Sequence, residues 1–142
     1  MKGIWQGQYW YNNHKMLPEI IKNRKTNFKL HITHFDKNNF SGTVEDDLVT
    51  GGTPGIGTIE GILKGNQILF IKKMPAKSIM YPDGGLKNLR GKHPNIYYSG
   101  ILNKETQTMN GSWKFKFSIY WFLLIPIPLR PLKGEWSSIK QS

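Results

Sequence analysis

Glycine recurs two positions from a large residue along most of this chain: Trp5-x-Gly7, Phe40-x-Gly42, Ile59-x-Gly61, Tyr98-x-Gly100, Gly111-x-Trp113 and Gly134-x-Trp136. Residues two apart on a strand share a face, so each pair sets a bulky group beside a gap on one side of a sheet. Glycine weakens a strand. Its repetition on one face calls for tight coiling, or for room beneath neighbouring rings, as inside a small closed barrel. Read otherwise, some of these glycines are bulges or turn ends. Closure also removes the edges that an open meander would expose.

The surrounding pattern agrees. Apolar residues fall mostly at every second position, with Gly, Asn, Asp and Pro clusters between the runs, which is the signature of short antiparallel strands. Eight strands are predicted, at about Gly3–Tyr11, Asn27–Phe35, Phe40–Val44, Gly57–Ile62, Ile68–Lys73, Ile96–Ile101, Thr108–Phe117 and Lys133–Ile139. The expected fold is all-β, an eight-stranded antiparallel up-and-down barrel, with a short helical turn in His14–Lys25 between the first two strands. At 142 residues, a single domain over 1–142 is expected.

Two further segments break the meander. Pro75 to Pro94 reads as a long basic loop. Ile119 to Pro131 is a continuous apolar run whose prolines forbid a helix or a central strand, and it is too short to span a bilayer as a helix.

On Gly3-x-Trp5 at the start of the first strand and on the order of eight strands, the chain resembles the calycin group: lipocalins, fatty-acid-binding proteins and avidins. Its repeated glycine pattern is similar to that of uncharacterised bacterial lipocalin-like domains. The resemblance implies a barrel that holds one small, often apolar ligand inside.

Chemistry-bearing motifs are few. There is no Gly-x-Ser-x-Gly elbow, no His-Glu-x-x-His and no P-loop, so a non-enzymatic role without a cofactor is expected. The glycines from Gly51 to Gly57 lack dinucleotide spacing and read as a flexible hairpin loop. Zero Cys excludes disulfides and thiolate metal sites. His31 and His34 have a ligand-like spacing, but an odd separation points them to opposite faces of a strand unless a bulge intervenes, and no metal is expected. His14 and His93 fall in loops.

Face assignment nominates the ligand-binding residues. Asp46 shares the inner face of Phe40, Gly42 and Val44, and Lys72 that of Ile68 and Phe70, so an acid and a base point into one barrel. They either neutralise each other or bind a polar head group, because an unpaired buried charge is costly. Tyr9, Phe70, Tyr98, Trp113 and Trp136 join them, as core or as pocket lining. An Asp46–histidine hydrolase or isomerase is the enzymatic alternative.

The charge, 20 Lys and Arg against 9 Asp and Glu, gives +11 and admits anionic partners. Lys22, Arg24 and Lys25 cluster in one loop and Lys87, Arg90 and Lys92 in another. They form one patch only if both loops lie at the same barrel end. Most aromatics point inward, so nucleic acid is the weaker partner. The apolar segment, with Tyr120, Trp121, Phe122, Leu123 and Leu124, is the interaction-loop candidate. It has three places to be buried: over its own barrel mouth, against a second subunit in a homodimer, or in an anionic membrane interface. Met1-Lys2-Gly3-Ile4-Trp5 leads into strand sequence without a signal-like apolar stretch, so a cytoplasmic location, with a peripheral membrane position as the variant, is expected.

Overall fold

The predicted inner stripe wraps into a tube. The computed structural model describes residues 1–12, 24–52, 54–75, 77–80, 86–89, 95–115, 119–122, 125–128 and 133–141, with backbone alone for 77–80, 86–89, 115, 119–122 and 125–128. Barrel strands are β1 (Gly3–Tyr11), β2 (Thr26–Asp36), β3 (Asn39–Asp46), β4 (Ile56–Lys64), β5 (Gln67–Lys73), β8 (Ile96–Asn103), β9 (Thr108–Phe115) and β12 (Lys133–Lys140). They form a closed antiparallel barrel in up-and-down order, with β1 paired to both β2 and β12. Of the segment His14–Lys25, where a helical turn is expected, residues 14–23 lie outside the described residues, and Arg24 and Lys25 are not helical.

Two short ribbons are inserted between barrel strands. Where a loop is expected at 75–94, β6 (Lys77–Met80) pairs with β7 (Leu86–Leu89). The Pro82-Asp83-Gly84 run between them is a turn signal that the loop reading passed over. In the proline-bearing segment, β10 (Ile119–Phe122) pairs with β11 (Ile125–Pro128). A two-stranded ribbon leaves each strand a free edge, so Pro126 and Pro128 are tolerated there although a central strand would reject them.

Glycine makes the tube narrow enough to fill. A Cβ on Gly7 would lie 2.6 Å from Phe28 Cζ, and one on Gly61 2.6 Å from Phe40 Cζ. Trp113 covers Gly134 in the same way, at 2.7 Å. Rings from one strand therefore lie over gaps in the next, which is the space-making role expected from the sequence. The rings stack through mid-barrel: Phe70 and Tyr98 lie 4.7 Å apart and nearly parallel, with Trp136 edge-on to Phe70 at 5.4 Å.

The two ends of the barrel differ. One end carries the tight turns β2–β3, β4–β5 and β8–β9, and is called the turn end; Lys37 and Asn38 both take positive φ in the first of them, as two-residue hairpins require. The other, the loop end, receives all four long connections, residues 12–25, 47–55, 74–95 and 116–132.

Candidate functional site

Tyr9, Asp46, Phe70, Lys72, Tyr98, Trp113 and Trp136 all lie in the barrel wall with their side chains buried. They divide into two groups. Phe70, Tyr98 and Trp136 form the mid-barrel stack, while Tyr9, Asp46, Lys72 and Trp113 sit closer to the loop end.

Asp46 ends β3 on the inner face and Lys72 is next to last in β5, which brings them together inside the mouth. Lys72 Nζ donates to Asp46 Oδ1 at 2.6 Å, and both side chains are almost wholly shielded from water. The Tyr9 hydroxyl donates to the other carboxylate oxygen, Oδ2, at 3.3 Å. The ammonium also lies 5.0 Å from the Tyr9 ring centre. A lysine ammonium carries three N–H donors, and among the described residues Asp46 is its one oxygen partner. Burial pushes the Tyr9 hydroxyl well above the ordinary tyrosine range, and the Asp46 charge pushes it further. Tyr98 is raised by the same two causes.

The walls around this cluster are aromatic. Tyr9, Tyr11 and Trp113 meet edge-to-face at 5.1 to 6.4 Å. The indole N–H of Trp113 donates to the carbonyls of Trp10 and Glu135, and that of Trp136 to Ser99. These polar atoms bind the barrel wall. Phe28, which the alternation sets on the inner face of β2, lies 6.1 Å from the Tyr9 ring, whereas Thr26, Met74 and Ile96 are also buried and were missed by the sequence reading. Thr26 and Met74 each lie two residues beyond a nominated inner-face position, so extending the alternation by one step would have found them.

The glycine-bearing connection beside the mouth is tied down rather than free. Asn27 N donates to Thr50 Oγ1 and Thr26 Oγ1 to the Thr50 carbonyl, while Asp47 N–H donates to Asn27 O. Gly51 at φ +100° lies beneath the Arg24 guanidinium. The expectation of a flexible loop is thus replaced by a turn fastened to β2.

The remaining sequence candidates are dispersed. A register shift between Ile32 and His34 supplies the bulge that joint ligation by His31 and His34 would need, yet both rings are exposed and His34 Nδ1 hydrogen-bonds Thr33 Oγ1. Among the described residues no group of three or more His, Asp and Glu could hold a metal. His14 and His93 lie outside the described residues. Tyr120, Trp121 and Phe122 fall in β10, whereas Leu123 and Leu124 lie outside the described residues. Three grooves of about 1010, 980 and 710 Å³ run along the outer wall, lined in turn by residues such as Gln6 and Asn27, Ile62 and Leu69, and Trp10 and Glu135.

The eight-stranded barrel is compatible with a calycin-like fold. Comparison with family models, curated proteins and solved structures finds no match to this chain.

Proposed function

We propose that this protein is a non-enzymatic, lipocalin-like carrier that binds a small amphipathic molecule at the loop end of its barrel. The apolar part of the ligand packs on Tyr9, Tyr11, Phe28 and Trp113, and its acceptor oxygens meet Lys72. The observation that carries the reading is the Asp46–Lys72 pair itself. Hydrophobic residues of similar volume at such a site are often as stabilising as a buried ion pair, or more so, and stability alone therefore gives a weak reason to keep charge there. A ligand head group that uses the remaining donors of Lys72 supplies a stronger one.

A second reading, a solid barrel acting through its surface, is favoured by the packed stack of Phe70, Tyr98 and Trp136. One experiment separates them. The double variant Asp46→Leu/Lys72→Met removes the charges and keeps the volume, and binding is measured with anilinonaphthalene sulfonate, an anionic aromatic amphiphile. The carrier reading expects a folded variant whose probe affinity falls by about tenfold or more, the loss of one charge-assisted hydrogen bond. Unchanged affinity, or no binding by the wild type, leaves the surface reading.

A further inference from the structure

The two barrel ends are electrically unlike. By sequence, the four connections that start and end at the loop end hold ten Lys and Arg against three Asp and Glu, +7 of the chain's +11. The turn end, with Lys2, Lys37 and Lys104 against Glu105, carries +2. The clusters Lys22, Arg24, Lys25 and Lys87, Arg90, Lys92 thus belong to connections that leave the same end of the barrel.

That end also emits the apolar ribbon. Its register sets Tyr120, Phe122, Ile125 and Ile127 on one face, and Ile119, Trp121, Pro126 and Pro128 on the other. Neither face is polar. If the ribbon lay across its own barrel mouth, one face would be covered and the other would stay in water. If it packed against the same ribbon of a second copy, two ends of +7 would be brought together, which like-charge repulsion opposes. A bilayer with anionic head groups meets both demands at once. Its interface accepts apolar surface on either face of a thin ribbon, Trp and Tyr favour that depth, and the head groups neutralise the surrounding lysines and arginines.

We infer that the loop end docks on an anionic lipid bilayer, with the β10–β11 ribbon entering the interface and the basic connections resting on the head groups. This goes beyond the carrier reading and does not depend on it.

The test is cosedimentation of the full chain with vesicles of phosphatidylglycerol and phosphatidylcholine in equal parts, and with phosphatidylcholine alone. Binding is expected on the anionic vesicles, with loss at high salt as the head-group attraction is screened. Lys87→Glu/Arg90→Glu/Lys92→Glu should weaken it by about tenfold or more, given the attraction of each basic residue to such a surface. The matched reversal at the turn end, Lys2→Glu/Lys37→Glu/Lys104→Glu, should weaken it much less. Equal loss from both reversals, or no preference for anionic vesicles, overturns the inference.

Trp121→Ser/Phe122→Ser/Leu124→Ser is expected to abolish vesicle binding while keeping the wild-type melting temperature. A lowered melting temperature with binding intact assigns the segment to its own barrel, and a dimer lost in sedimentation velocity assigns it to assembly; either result overturns docking. Asp46→Leu/Lys72→Met is expected to bind vesicles as the wild type does, so failure of the carrier reading is seen separately.

Discussion

At the turn end Trp5, Ile68 and Met109 are completely buried, the Trp5 indole donates to the Met1 carbonyl at 2.9 Å, and the closing turns are short. At the loop end the same barrel wall encloses a carboxylate, an ammonium and a tyrosine hydroxyl. The first end is held by dispersion and the exclusion of water from apolar surface, which pH barely touches. The second depends on charges keeping their partners in a place where water cannot replace them. Stability at one end is therefore independent of charge in a way that it is not at the other.

The sharpest way to break this contrast is Asp46→Ala. It strands the Lys72 ammonium inside the barrel, and removing one partner of a buried pair is expected to cost about 3–5 kcal/mol. Urea unfolding followed by tryptophan fluorescence reads the loss. The Asp46→Leu/Lys72→Met variant should recover most or all of it, and failure to recover would mean that the pair contributes more than mutual neutralisation.

The counterpart at the turn end is Met109→Ala. An apolar truncation in a packed core costs about 2–5 kcal/mol, and the change should be the same at neutral and alkaline pH. A pH-dependent loss there would end the distinction between the ends.

The smallest effect is graded. Tyr9 and Tyr98 resist ionisation when folded, so below the unfolded tyrosine value both states are protonated and stability is full. Above it the unfolded chain loses protons that the folded chain keeps. Stability should therefore fall from about pH 10 upward, at about 1.4 kcal/mol per pH unit for each tyrosine, until the folded values are reached. Tyr98→Phe should halve the contribution of this pair to the slope, as measured by urea midpoints across that range. A slope unaffected by the substitution would remove Tyr98 from the account.

Much of this arrangement is legible in the sequence because strand periodicity carries it. Period-two alternation places Asp46 and Lys72 inside, and the glycine pairs foretell rings such as Phe40 over Gly61. The meeting of Asp46 with Lys72 is not legible, since it depends on the register of β3, β4 and β5 around a curve that no local pattern records. The fastened Asp47–Gly52 turn is equally hidden. Its hydrogen bonds run to Thr26 and Asn27, whose proximity is created only when β2 and β3 pair. The β6–β7 and β10–β11 ribbons were readable only as interruptions, because four-residue strands are shorter than the windows in which alternation stands out.

Closure of the barrel through β1 and β12 has a consequence for how the chain is made. Trp5 lies opposite Lys140 and Tyr9 opposite Trp136, and the Gln141 amide donates to the Ile4 carbonyl. The strand synthesised first thus waits for the last one before its second edge is satisfied. Until β12 leaves the ribosome, the nascent sheet has two open edges, and contacts of such long sequence separation make folding slow. A chain that stops before Lys133 would keep those edges and lose Trp136 from the stack, so interrupted synthesis should yield an aggregating product rather than a smaller barrel.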